Sequence, residues 1–153
     1  FDAPGIHTDP LAVLGQQISV AAARTAAGRL ADGGSLFPTS AQIAAMSAED
    51  LPMPRRRGAT VIELARRMDT GQVHLDPGAD WDEAERNLLA IPGIGPWTAK
   101  YIRMRSLGDP DVSLPTDLGI ARAAHARGLD PDGPRWKPWR TYAMHYLWNL
   151  GDD

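Results

Sequence analysis

One stretch limits this chain more than any other: Asn87 to Tyr101, reading NLLAIPGIGPWTAKY. Leu88, Leu89 and Ile91 close an apolar run, which Pro92-Gly93 then breaks. Gly93 and Gly95 permit positive φ and let another backbone come close. Pro96 suits the first position of a helix, where its missing N–H costs nothing. The segment predicts a helix, a tight turn and a second helix. A helix opening directly after such a turn presents unpaired N–H groups, and its macrodipole adds partial positive charge there. That arrangement can hold a phosphate without a basic side chain. A Gly-x-Gly turn can also do no more than connect two helices.

The rest of the chain reads as helices arranged around this turn. Thr8-Asp9-Pro10 is a start signal, and Leu11 to about Leu30 continues with Leu11, Leu14, Ile18 and Ala21 on one stripe. Thr39-x-x-Gln42 is a capping-box pattern that predicts a short helix to Met46. Arg56 to Met68 predicts an amphipathic helix with Val61, Leu64, Ala65 and Met68 inward and Gly71 past its end. Asp80-x-x-Glu83 caps the helix that enters the turn, and the helix leaving it runs to Leu107 before Gly108. A short extended piece, Val112 to Pro115, precedes a helix beginning at Thr116-Asp117, and a last helix runs from Pro138 to about Leu150. Glycine and proline fall between helical pieces and not within strand-like alternations. The fold class is therefore all-α, with eight or so short helices in a single domain.

Composition narrows the chemistry. The chain has 153 residues, 43% of them apolar, and no cysteine. That excludes disulfides, thiolate chemistry and cysteine-held iron–sulfur clusters. His7, His74, His125 and His145 show no metal-ligand spacing. No apolar run approaches the ~20 residues of a membrane span. The net charge of −3 is not that of a strongly basic nucleic-acid binder, yet the charge is uneven. Between Trp97 and Trp148 eight basic residues face five acidic ones, and Arg55, Arg56 and Arg57 form a second basic cluster.

The longer string, L-x-x-[IL]-P-G-[IV]-G-x-x-T-A, resembles the helix-hairpin-helix of the DNA glycosylase superfamily, which grips the phosphate backbone of duplex DNA. A second match is VSLPTDLGIAR, Val112 to Arg122. By itself Asp117 there is a capping carboxylate worth roughly 1 kcal/mol. The resemblance implies that it is the catalytic aspartate of the family, about twenty residues after the hairpin. Cleaving the bond between base and deoxyribose builds positive charge on the sugar, as in a glycosidase transition state. A carboxylate beside that sugar stabilises the charge, and it can also orient or deprotonate the attacking water.

Relatives that also cut the strand carry a lysine in the hairpin string. Here that place is Trp97, and the next lysine, Lys100, stands three residues on. Without an amine nucleophile no Schiff base forms, so the expectation is a monofunctional enzyme with no lyase step. GIGPWTAKY most resembles the 3-methyladenine DNA glycosylase II (AlkA) type, and the similarity extends through RWKPWRTYA to Leu150. Trp97, Tyr101 and Trp148 match aromatics lining the base pocket in that subfamily. Aromatic faces favour a methylated, positively charged purine by cation–π attraction, on the order of 0.5–2 kcal/mol. Trp136 and Trp139 are assigned to the core or a supporting wall.

The resemblance further implies DNA contacts from Gln17, Gly93, Gly95, Trp97 and Thr98. Gln17, in GQQIS, takes the place of the residue pushed into the duplex, where several relatives use leucine. The backbone carbonyls of Leu89, Ile91 and Ile94 would hold a structural monovalent cation, Na+ or K+, with no cofactor needed for catalysis. The partner implied is double-stranded DNA containing alkylated bases, acted on by a monomer in a bacterial-type cytoplasm at the nucleoid, with no membrane attachment. Residues 1–153 then form a single helical glycosylase domain without the amino-terminal β-rich domain of full-length relatives. Two alternatives stay open on sequence alone: a non-catalytic helix-hairpin-helix module that binds DNA, and a glycosylase for deaminated or etheno purines.

Overall fold

The computed structural model describes residues 39–150, which form six α-helices and one 3₁₀ turn. In chain order these are α1 (Ser40–Ala44), α2 (Arg55–Asp69), α3 (Trp81–Leu89), α4 (Pro96–Ser106), α5 (Leu118–His125), the 3₁₀ turn Pro134–Trp136, and α6 (Arg140–Leu150). No strand occurs among the described residues. No described helix is long and apolar enough to cross a membrane. The helix expected over Leu11 to Leu30, and Gln17 within it, lie outside the described residues.

Local chemistry sets most boundaries. Thr39 and Gln42 close the expected capping box at the start of α1, each side chain bonded to the other's backbone N–H. Asp80 Oδ1 accepts from Glu83 N at 2.8 Å and starts α3. α2 buries Val61, Leu64 and Ala65 as its periodicity requires, and Gly71 just beyond it takes φ +70°. Pro96 stands at the first position of α4, after Gly95 as N-cap.

Two cores result. The larger one gathers Leu64 from α2, Leu88 from α3, Ile91 and Ile94 from the hairpin turn, Ile102 from α4, Ile120 from α5, and Met144 and Leu147 from α6. The smaller one packs Ile43, Leu51, Val61, Ile62 and Ala65 between α1 and the outer side of α2. At roughly 1.5–3 kcal/mol for each buried aliphatic side chain, the larger core is the main force holding the hairpin against α5 and α6.

Polar ties then fix the two segments that matter for the site. Arg103 of α4 donates to Asp109 at 2.6 Å, to Asp82 at 2.6 Å and to Glu85 at 2.8 Å, and its guanidinium lies 5.9 Å from the centroid of Trp81. Those bonds cross-link the two hairpin helices and the loop that follows. That loop is anchored in turn to α6. Thr141 Oγ1 donates to Asp109 O at 2.7 Å and accepts from Val112 N, and Arg140 forks onto both oxygens of Asp111 at 2.7 and 2.8 Å.

Of the two hairpin glycines, Gly93 uses positive φ, at +94°, and Gly95 is extended, at φ −94° and ψ 173°. One expectation is corrected. Trp139 is not in the core, for it is 58% exposed, whereas Trp136 does pack against the larger core.

Candidate active site

The site is assembled where three elements end together. α4 begins at the hairpin and carries Trp97 and Tyr101 one turn apart, on one face. α5 begins at Asp117, delivered by the loop anchored to α6. α6 supplies Trp148 in its last turn.

Asp117 is the N-cap of α5, with Oδ1 accepting from Ile120 N at 3.1 Å. Its carboxylate takes more than this local bond. Trp148 Nε1–H donates to Oδ1 at 3.0 Å, and Trp97 Nε1–H donates to Oδ2 at 3.2 Å. Three N–H groups from three helices thus converge on one acceptor-only group. The side chain is half-buried, so an edge of it stays open to solvent. Gly119 lies against it: a Cβ there would stand 3.3 Å from Asp117 Oδ1 and 3.5 Å from the Trp148 ring.

The aromatics also hold one another. The Trp97 and Tyr101 rings stack at 5.1 Å with 15° between planes, and Tyr101 meets Trp148 at 5.9 Å. Tyr101 is 7% exposed and supports the half-buried Trp97 from behind. Burial pushes the Tyr101 phenol above its ordinary value, Asp117 adds in the same direction, and Arg105 opposes both. His145 touches the Trp148 ring edge-on at 5.5 Å, and burial, with Arg105, holds its imidazole below the usual histidine range. His145 carried no signal in the sequence beyond its place three residues before Trp148.

At the hairpin, Gly93 and Gly95 do different work. A Cβ on Gly93 would stand 2.3 Å from Thr60 Oγ1, and that hydroxyl donates to Pro92 O at 2.9 Å. Gly93 therefore serves a left-handed turn pressed against α2. Among the described residues nothing lies within 4 Å of where a Cβ on Gly95 would be, so none of them closes its outer side. Trp97 follows on the rim of the same helix start, while Thr98 is 2% exposed and sits beneath it.

Leu89 is 42% exposed at the end of α3, and Ile91 and Ile94 are buried with Ile94 N donating to Ile91 O at 3.1 Å. That leaves the Ile91 carbonyl a second lone pair, and the three neutral oxygens have the chemistry a monovalent cation takes. Among the described residues no cluster of His, Asp or Glu could hold a metal ion. Lys100 lines a small cavity of about 130 Å³ with Glu85, Asp109 and Asp111.

Comparison with known proteins gives this arrangement a lineage. No protein-family model matches the chain. It is 41% identical over 156 residues to the "probable bifunctional transcriptional activator/DNA repair enzyme AlkA" of Mycobacterium tuberculosis, across 90% of this chain and 32% of that protein. It is 35% identical to DNA-3-methyladenine glycosylase 2 of Escherichia coli, across 90% of this chain and 54% of the relative. The chain thus spans about a third to a half of the length of these curated relatives. A crystal structure of DNA-3-methyladenine glycosidase from Bacillus halodurans superimposes with a TM-score of 0.74 at 29% identity, over 95% of this chain and 74% of that one. MBOgg1, solved with a low-affinity DNA ligand, shares the fold at TM-score 0.74 and 19% identity, over 94% of this chain and 59% of that one.

Fold and hairpin together define a helix-hairpin-helix DNA glycosylase domain. Within that class the chain belongs to the AlkA-type family.

Proposed function

We propose that this chain is the catalytic domain of a monofunctional DNA glycosylase that removes alkylated purines, of the 3-methyladenine and 7-methylguanine kind, from duplex DNA. The observation that carries the reading is the Asp117 carboxylate, oriented by indole N–H groups from α4 and α6 at the mouth of an aromatic cluster. A damaged nucleotide turned out of the duplex presents its base to Trp97, with Tyr101 and Trp148 behind and beside it. The open carboxylate edge then faces the sugar. Positive charge developing there is stabilised by Asp117, which also aligns or deprotonates water for attack at the anomeric carbon. The bond to the base breaks, the base departs, and an abasic site remains. A ring-methylated purine is already cationic, so it leaves without being protonated by the enzyme, and it gains from the faces of the indoles.

The duplex is gripped at the hairpin. The bare outer side of Gly95 lets a phosphate approach the first N–H groups of α4, and the helix dipole favours the anion there. The backbone carbonyls of Leu89, Ile91 and Ile94 would hold a Na+ or K+, whose positive charge would favour a DNA phosphate at the hairpin. Trp97 stands where strand-cutting relatives use lysine, which supports hydrolysis by water over attack by an amine.

The test is product analysis on methylated duplex DNA. Wild-type protein should release free methylated purine and leave an alkali-labile abasic site, and borohydride should trap no protein–DNA adduct. Duplex binding without base release would point to a non-catalytic DNA-binding module. A trapped adduct would overturn the monofunctional assignment.

A further inference from the structure

The first turn of α2 carries Arg55, Arg56 and Arg57, with no acidic residue in that turn and no side-chain cap. Cations are disfavoured at this end of a helix, because unpaired N–H groups and the macrodipole already place positive charge there. Several other helix ends follow the favourable rule, and Arg140, which opens α6, is paired with Asp111. α3 has Asp82 and Glu83 in its first turn, and α4 has Arg103 and Arg105 in its last. Arg55 is partly matched by Glu49, 3.4 Å away on the exposed surface. Arg56 is exposed and has no carboxylate partner among the described residues.

This basic turn adjoins the hairpin. One groove of about 770 Å³ has Arg56, Arg57 and Arg66 on one wall and Pro92 and Gly93 on the other. Its one lining carboxylate, Glu63, is engaged by Arg66 and Arg67, each at 2.8 Å. Those two arginines hold it below the ordinary carboxylate value. Besides the shared apolar core, one hydroxyl ties the two walls together. Thr60 Oγ1 contacts Pro92 O at 2.9 Å and Arg56 O at 3.2 Å, so the arginine turn and the hairpin keep a set spacing.

We propose that the first turn of α2, Arg56 foremost, is a second contact to the DNA backbone, continuing the hairpin's track onto neighbouring phosphates. This rests on the reading of the chain as a DNA glycosylase domain. The occupant is the duplex backbone, because the groove is positive, open and continuous with the hairpin turn, and a guanidinium fork matches a phosphate. The contact positions the duplex and reads no sequence. It also explains the charge placement: arginines that repel the helix end in the free protein meet an anion in the complex.

The experiment titrates wild type, Arg56→Gln, Arg56→Lys and Gly95→Asp into a fluorescent undamaged duplex at several salt concentrations, with thermal melting of each protein. Arg56→Gln should weaken binding by about 3- to 10-fold near physiological salt and make the log–log salt slope shallower by about 0.9. Its melting temperature should equal or exceed that of wild type. Arg56→Lys should keep most of the slope. Wild-type affinity and slope in Arg56→Gln, with Gly95→Asp impaired, would remove α2 from the interface and leave the hairpin reading intact. Weaker binding accompanied by a lower melting temperature would mean a structural role and would also overturn the proposal. Failure of wild type to bind the duplex would sink both readings together.

Discussion

Asp80 and Asp117 begin their helices with the same local bond, the N–H three residues on donating to Oδ1, at 2.8 and 3.1 Å. Their surroundings differ. Asp80 is open to solvent, and the Glu83 N–H holds its carboxyl below the ordinary value of 3.8. Its neighbour Trp81 turns to the Arg103 guanidinium. Asp117 receives two further donors, the indoles of Trp97 and Trp148, from positions 20 and 31 residues away. A helix cap becomes a candidate catalytic group through what other helices bring to its free edge, and the cap itself is common to both.

The comparison can be broken first at the indoles. Trp148→Phe and Trp97→Phe each keep an aromatic ring and remove one N–H bond to Asp117. A hydrogen bond to a charged group is worth about 1.5–3 kcal/mol, so each change should slow single-turnover base release by about 10-fold or more. The pair together should approach about 100-fold, with duplex binding nearly kept for Trp148→Phe. Rates like wild type in both would show that the indoles do not orient the carboxylate.

The two hairpin glycines provide the next contrast. Gly93→Ala places a Cβ against Thr60 and forces φ +94° on a side chain, so it should lower stability by about 1–3 kcal/mol in denaturant melts. Gly95→Ala has open space and an ordinary backbone, so its stability should stay within about 0.5 kcal/mol of wild type. Gly95→Asp should also fold but lose duplex affinity across all sequences, because it puts a carboxylate at the phosphate position. Unchanged affinity in Gly95→Asp would take the hairpin out of the grip.

The smallest effect concerns Asp111, which anchors the loop leading to Asp117. The Arg140 side chain beside it holds the carboxyl below its ordinary 3.8. A depressed folded value means that the group adds stability above pH 3.8 and loses it as pH falls through the folded value. Asp111→Asn should therefore cost at most about 1 kcal/mol at neutral pH, for a partly exposed pair. The difference from wild type should vanish in acid. A difference independent of pH would assign the loss to packing and not to the ion pair.

What the sequence revealed was chiefly what neighbours in the chain decide. The hairpin string, the capping box at Thr39 and the caps at Asp80 and Asp117 each depend on residues within a few positions, so spacing exposes them. The cluster of Trp97, Tyr101, Trp148 and Asp117 was legible only through resemblance, since its bonds span many residues. Thr60 was not legible at all. A threonine inside an amphipathic helix gives no sign that its hydroxyl will meet a carbonyl 32 residues on. Which of Gly93 and Gly95 takes positive φ was not legible, because glycine signals permission without saying whether it is used. Trp139 was misread because an aromatic-rich segment does not show which of its rings pack inward and which stay exposed.

The most direct measurement pairs the two caps. Base release from methylated duplex DNA and duplex binding would be followed in the same samples for wild type, Asp117→Asn and Asp80→Asn. The account predicts that Asp117→Asn binds the duplex but loses at least about 10²–10³-fold in release rate, while Asp80→Asn releases base like wild type. Undiminished release by Asp117→Asn would contradict it, because the carboxylate held by the two indoles would then have no part in breaking the bond.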